Sequence, residues 1–260
     1  MSEAVIRMKD VLRVYLRGGQ ELRVLDEFNL DVEEGAFQAI MGPSGSGKST
    51  LLNLVGGLDQ PDSGTVTVAG EDLSVLSGAE LSRFRADTIG FVFQGFNLLP
   101  VLTALQNVEL PLLLTPLGRA ERRKQALHAL KLVGLDDRVH HRPRELSGGQ
   151  EQRVAIARAL AMDPKVILAD EPTGDLDRES AGAVLDLLTR LNRDFNKTIL
   201  MVTHDPRAAE RAREIIHLDK GKIERIERNE AQVGDRAPPD DRVDDGHGKT
   251  GASTASPGGA

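Results

Sequence analysis

Phe28, Leu30 and Val32 alternate with polar neighbours, the period of a strand with one buried face. The whole N-terminal part reads as short strands of this kind. Residues 36–41 form a mostly apolar run that ends at a glycine-rich stretch, and residues 48–55 then predict a helix closed by Gly56-Gly57. Pro61-Asp62-Ser63-Gly64 marks a turn before a strand-like run at 65–69, and residues 89–93 form another short strand. From about 96 to 146 the pattern is mostly helical, most clearly at 119–133, and a further helical run covers 151–162. A strand at 165–169, a helix at 179–192 and a strand at 198–203 close the series. Strands alternating with helices predict a parallel α/β sheet, with the block at 96–146 inserted as a helical subdomain. From 231 to 260 there is no Leu, Ile, Met or aromatic residue. Such a segment buries too little surface to offset its ordering entropy, so residues 229–260 are expected to be a disordered tail behind one domain spanning 1–228.

Composition narrows the function. The 260 residues are 40% hydrophobic, enough for one sizeable core. The net charge of −7 gives no bulk attraction to nucleic acid, and no nucleic-acid partner is expected. With no cysteine, disulfides, thiol nucleophiles and cysteine-based zinc sites are excluded. Residues 1–10 contain no apolar stretch of the kind a signal peptide needs. The greasiest segment, 98–117, is interrupted by Pro100, Asn107, Glu109, Pro111 and Pro116, so it does not read as a membrane span. If the chain moves something through a membrane, another chain must supply the channel.

The glycine-rich stretch is Gly42-Pro43-Ser44-Gly45-Ser46-Gly47-Lys48-Ser49-Thr50, a full phosphate-loop pattern set between a strand and a helix. Its glycines let successive backbone N–H groups point into one concavity at a helix N-terminus. Lys48 places a positive charge on the β- and γ-phosphates of ATP, and Ser49 offers its hydroxyl to Mg²⁺. The apolar strand ending in Asp170-Glu171 delivers two carboxylates at a sheet edge beside that loop. Asp170 suits a water-mediated Mg²⁺ contact, and Glu171 suits the general base for an attacking water. Gln94 and His204 each follow a strand. Alone, either is more often a satisfied polar residue at a strand end; here Gln94 is a candidate contact to Mg²⁺ or water, and His204 to the γ-phosphate.

A second glycine signature, Leu146-Ser147-Gly148-Gly149-Gln150, opens the helical run at 151–162. Gln94, Ser147-Gly148-Gly149, Asp170-Glu171, Asp175-Leu176-Asp177 and His204 follow the phosphate loop in the order found in the ATP-binding subunits of ABC transporters. The chain resembles that family from about Lys9 to Glu224. The resemblance implies a P-loop NTPase fold: a mixed sheet with flanking helices, an antiparallel β subdomain and an inserted helical subdomain. It implies that two copies face each other around ATP and Mg²⁺, with Ser147, Gly148, Gly149 and Gln150 of one copy gripping the γ-phosphate held by the other. It also makes Tyr15 an aromatic that stacks on adenine, and Asp177 a link between the two active sites. Glu151 stands where many relatives carry Gln.

Thr173-Gly174 within the acidic loop, Phe93-Gln94-Gly95-Phe96-Asn97-Leu98-Leu99-Pro100 and Leu102-Thr103-Ala104-Leu105-Gln106-Asn107-Val108 resemble the branch of lipoprotein-release and macrolide-export ATPases. That branch implies a peripheral subunit on the cytoplasmic face of the inner membrane, bound to an integral-membrane permease. The apolar segment from Phe96 to Leu105 is the candidate contact. Export or extraction of lipoprotein, lipid, peptide or drug fits this chemistry. So does a regulatory ATPase that signals to a cell-wall enzyme without transport. A soluble ATPase working on nucleic acid or ribosomes fits less well, because the chain has one cassette and no long coiled-coil insertion.

Overall fold

The central strands send alternate residues into two different cores, and that division organises the molecule. The computed structural model describes residues 4–229; of the tail expected at 229–260, all but Asn229 lies outside the described residues. Two long strands, β1 (Ala4–Arg17) and β2 (Gln20–Glu33), form an antiparallel pair. With β4 (Ser63–Val68) and β5 (Glu71–Asp72) they make a four-stranded antiparallel sheet ordered β2-β1-β4-β5. The second sheet contains β3 (Phe37–Met41), β6 (Ile89–Phe93), β7 (Val166–Asp170), β8 (Thr198–Val202), β9 (Glu214–Asp219) and β10 (Lys222–Arg228), ordered β10-β9-β3-β8-β7-β6. Its pairs are parallel except β10 on β9, so the expected mixed sheet and antiparallel sheet are both present.

Ala39, Ile167, Ala169, Ile199 and Met201 enter one core, while Ile40, Val166, Leu168, Leu200 and Val202 enter the other. A parallel sheet covered on both faces buries nearly every residue, and β8 is buried throughout. The first core is closed by α3 (Ala104–Glu109), α4 (Arg119–Leu132), α5 (Gly148–Leu160) and α6 (Arg178–Phe195). The second is closed by α1 (Lys48–Val55), whose Leu51, Leu52, Leu54 and Val55 pack with Phe28, Leu30 and Val32 of the antiparallel sheet. The alternation at 28–32 therefore faces that core.

Two expectations need correction, and one helix was missed. The N-terminal strands are 14 residues each, long rather than short, because β1 and β2 form one extended hairpin broken by bulges. The helix α2 (Gly78–Thr88) was not legible from apolar periodicity, since it buries only Leu81 and Phe84; Ser77 and Glu80 hold its start in a capping box. The block at 96–146 is less helical than its pattern, with short 3₁₀ turns at Pro111–Leu114 and Pro143–Glu145, because each proline removes a donor that a longer helix would need.

Asn107 is the organiser of that block rather than an interruption of a greasy run. It is fully buried. Its Oδ1 accepts from Leu99 N at 2.8 Å, and its Nδ2 donates to the carbonyls of Leu99, Leu102 and Thr103 at 3.2, 3.3 and 3.0 Å. These side-chain bonds pin the 99–103 loop, so a buried amide here meets backbone groups that would otherwise be orphaned.

Candidate active site

The phosphate loop begins where β3 ends. A Cβ on Gly42 would lie 2.1 Å from the Leu218 carbonyl oxygen, so the close passage of β9 admits only glycine. Gly47 caps α1 with φ +104°, a conformation in which any Cβ is strained. The loop thus curls tightly into the start of α1. The Lys48 ammonium lies back over it, donating to the carbonyls of Gly42 and Pro43 at 2.9 Å each.

The acidic pair arrives on β7, which β8 separates from β3. Asp170 ends β7, next to the Ser49 hydroxyl; burial lifts its carboxyl above the ordinary carboxylate range, Glu171 adds repulsion, and Ser49 and Lys48 oppose the rise. Glu171 has φ +48°, a left-handed backbone that is costly for a non-glycine residue and held only where surroundings enforce it. Here the Glu171 N–H donates to the Val202 carbonyl at 2.9 Å. Its carboxylate meets His204 twice: Oε1 lies 2.9 Å from Nδ1, and Oε2 accepts from the His204 backbone N–H at 3.3 Å. The two residues therefore leave adjacent strands, β7 and β8, and lock together.

An open concavity of about 650 Å³ joins these parts, within the range of small-molecule sites. Tyr15, Leu22 and Val24 line one end; Gly42, Pro43, Ser44, Gly45, Gly47, Lys48, Ser49 and Thr50 form the loop; Glu171, Val202 and His204 complete the wall. The donors fit a nucleoside triphosphate: backbone amides and an ammonium for phosphates, with an aromatic ring at the far end for a base. Among the described residues no cluster of three or more His, Cys, Asp or Glu could hold a metal. One hydroxyl from Ser49 and one carboxylate from Asp170 suit Mg²⁺, which takes its remaining ligands from phosphate and water.

Several expected site residues stand elsewhere. Gln94 does not line the concavity; its Nε2 donates to Asp175 Oδ1 at 2.7 Å, and its amide lies against Gly174. The second glycine signature opens α5, away from the phosphate loop. There Ser147 Oγ accepts from Gln150 N, and Gln150 Oε1 accepts from Ser147 N, a reciprocal capping box. A Cβ on Gly149 would lie 2.7 Å from Ser180 Oγ. Asp177 caps α6, accepting from Ser180 N, Ser180 Oγ and Glu179 N, and these contacts hold its carboxyl below the ordinary range. The starts of α5 and α6 thus form one surface, and none of its residues lines the phosphate concavity of the same chain.

Sequence reasoning missed Gln152. It is fully buried and donates to the Phe93 carbonyl at 3.1 Å and the Pro172 carbonyl at 2.6 Å. It thereby ties the strand end before Gln94 to the turn after Glu171. A glutamine on the buried face of α5 was the available signal. Arg158 acts similarly on the next segment, donating to the carbonyls of Phe96 and Asn97, both in left-handed backbone at φ +56° and +52°.

The ABC transporter family model matches residues 25–174, more than half of the chain. The protein belongs to the ABC transporter family. It is 49% identical over 228 residues to the ABC transporter ATP-binding protein MJ0796 of Methanocaldococcus jannaschii, covering 86% of this chain and 97% of that one. It superposes on a dimeric structure of the MJ0796 cassette with a TM-score of 0.80 at 48% identity, covering 86% and 98% of the two chains. A second structure of MJ0796, in a post-hydrolysis state with ADP and Pi, superposes with a TM-score of 0.79 at 47% identity, covering 86% and 98%. The macrolide export ATP-binding/permease protein MacB of Hyphomonas neptunium is 46% identical over 238 residues, covering 92% of this chain and 37% of MacB. This ABC cassette is therefore an ATP-binding ATPase of the transporter type, and the export branch seen in its motifs is that of its relatives. Among the described residues no helix is long and apolar enough to cross a membrane.

Proposed function

We propose that two copies of this chain close around two ATP molecules at the cytoplasmic face of the inner membrane. Closure and hydrolysis then drive a permease that exports or extracts lipoprotein, lipid, peptide or drug. The observation that carries this reading is the separation of Ser147, Gly148 and Gly149 from the phosphate concavity of their own chain. A capped helix start attracts anions, and a second copy brings its own bound phosphates to this one. In this reading residues 1–228 are the ATPase domain and 96–146 its helical insert.

Lys48 and the amides from Gly42 to Thr50 hold the phosphates, and Tyr15 stacks on adenine. Ser49 and Asp170 would hold Mg²⁺, with Gln94 joining after moving from Asp175; the ion supplies neutralising charge to the phosphates. Glu171 accepts the proton of the water that attacks the γ-phosphorus, and His204, bonded to Glu171, contacts the γ-phosphate. Asp177 lies where the two copies meet.

The segment from Phe96 to Leu105 divides in two. Ala104 and Leu105 are core, and Leu98 is partly buried against it. Leu99 and Val101 are exposed by 47% and 73%. These two, tethered through Asn107, are the permease contact within that segment.

Glu171→Gln tests the reading. The amide keeps the shape without the basicity, so ATP binds while turnover nearly stops. Size-exclusion chromatography with Mg-ATP is expected to show a stable dimer. A variant that stays monomeric with bound ATP, or hydrolyses normally, removes the role of Glu171.

A further inference from the structure

Tyr15 reaches the concavity from β1, on the antiparallel sheet, whereas the phosphate loop belongs to the other sheet. A platform for the base and a cradle for the phosphates must nevertheless keep a fixed spacing, because the ribose between them has little reach. The structure contains a direct tie. The Tyr15 hydroxyl donates to Asp59 Oδ2 at 2.7 Å. Arg13 donates to the same carboxylate at both oxygens, Nε to Oδ2 at 2.9 Å and Nη2 to Oδ1 at 2.8 Å, and its guanidinium lies 4.7 Å above the Tyr15 ring centroid. The Arg13 and Asp59 side chains are only 19% and 24% exposed, a setting in which a two-pronged ion pair holds its geometry better than a solvated one.

Asp59 is itself fastened to the phosphate-binding helix. It follows α1 by four residues, and the backbone N–H groups of Leu58 and Asp59 both donate to the Asn53 carbonyl, at 2.8 and 3.2 Å. Asp62 adds a second fastening, accepting from Val14 N at 2.7 Å and from Arg13 Nη1 at 3.0 Å. A short path thus runs from Lys48 along α1 to Asn53, across to Asp59, and through its carboxylate to the Tyr15 ring. Arg13 covers one ring face, which leaves the other for a base.

We propose that Asp59 is the positioning residue of the base platform, holding the Tyr15 ring in register with the phosphate loop by bonding the phenol on one side and α1 on the other. This rests on the reading that Tyr15 stacks on adenine. Asp59 touches no substrate; it acts through Tyr15, and its effect falls on ATP binding more than on the chemical step.

The full-length protein carries its own reporter. Tyr15 is the sole tyrosine and there is no tryptophan, so tyrosine emission comes from this one ring. A phenol bonded to a carboxylate emits weakly, because the carboxylate takes its proton in the excited state. Tyr15→Phe, Tyr15→Ala, Asp59→Ala and Asp59→Asn would be compared for ATPase kinetics, and the two Asp59 variants also for emission.

Tyr15→Phe, which keeps the ring, and Asp59→Ala are each expected to raise KM for ATP about three- to tenfold, the range of one lost hydrogen bond. Their kcat should shift by less than about twofold. The double variant should be no worse than Asp59→Ala alone, since both changes remove one shared contact. Asp59→Ala should brighten the nucleotide-free protein, and Asp59→Asn, which keeps an acceptor, should recover part of the KM. If Tyr15→Ala weakens ATP by on the order of tenfold or more, as loss of a base stack does, while Tyr15→Phe and Asp59→Ala match the wild type, the proposal falls and the platform survives. If Tyr15→Ala leaves KM unchanged, the platform itself is wrong and this inference goes with it. If Asp59→Ala lowers kcat as much as it raises KM and emission stays constant, Asp59 is only a fold residue and the proposal is overturned. Should Asp59→Ala fail to fold, Tyr15→Phe alone decides.

Discussion

Gly149→Ala probes the joint between the second signature and Asp177. The added Cβ would sit 2.7 Å from Ser180 Oγ, 2.8 Å from Ser180 Cβ and 3.5 Å from Ser180 Cα, where ordinary carbon contacts lie at about 3.5–4.0 Å. Rotating Ser180 frees the oxygen but not the Cβ, which the backbone of α6 fixes, so α5 and α6 must separate at their starts. Overpacking of this kind costs about 1–3 kcal/mol, partly offset by roughly 1 kcal/mol from replacing glycine in a helix. The net loss, up to about 2 kcal/mol, lowers the Tm by up to about 8 °C for a chain of this size. Displacing Ser180 also breaks its bond to Asp177 Oδ2, so the ATPase rate below either transition should fall by on the order of tenfold or more, as misplaced site groups do.

Two companions isolate the cause. A Cβ on Gly182, also in α6, would meet nothing within 4 Å, and its backbone is not left-handed, so Gly182→Ala should stabilise by about 0.5–1 kcal/mol. Ser180→Gly removes the opposing Cβ, and combined with Gly149→Ala it should show a favourable coupling of at least about 1 kcal/mol. Thermal unfolding of the four variants measures all of this. A Gly149→Ala protein more stable than the wild type, or a coupling near zero, refutes the contact.

Other outcomes are open to simpler measurement. Burial raises the Glu151 carboxyl above its ordinary value, so the native state holds that proton to higher pH than the unfolded chain, and stability falls as pH rises through the window between the two values. Glu151→Gln should therefore have a higher Tm than wild type at neutral pH, with the difference gone below the ordinary carboxylate range; an equal difference at both pH values would count against this. Leu99→Asp places a charge on a 47% exposed side chain, so the isolated subunit should fold and hydrolyse ATP at its basal rate. Pull-down with detergent-solubilised permease should show lost association, and a variant that unfolds or still binds normally contradicts the assignment.

Much of the site was legible because its chemistry is local. The phosphate loop needs glycines at fixed offsets before a lysine and a hydroxyl, and the structure sets that run between β3 and α1 as the pattern demands. The acidic strand end and the capped start of α5 were readable for the same reason: their local geometry depends on residues adjacent in the chain. Apolar alternation at 28–32 and the apolar runs at 89–93 and 198–203 likewise carried their strand assignments, because a strand's pattern is written residue by residue.

Other features exist only through distant contacts. That Glu171 and His204 lock together follows from β7 and β8 being neighbours, a pairing no local pattern encodes. Gln94 turns to Asp175, 81 positions away, and Gln152 and Asn107 prove to be buried fasteners although as letters they look like ordinary polar residues. The split of the segment from Phe96 to Leu105 into core and surface was likewise undecidable from hydrophobicity, which says that a side chain prefers burial but not whether the fold has room for it. Tyr15 shows the division most clearly: its ring was visible in the chain, but Asp59, Arg13 and the link to α1 become its setting only when two sheets and a helix are brought together. Sequence specifies elements whose energetics are local, and tertiary structure decides which of their polar groups meet.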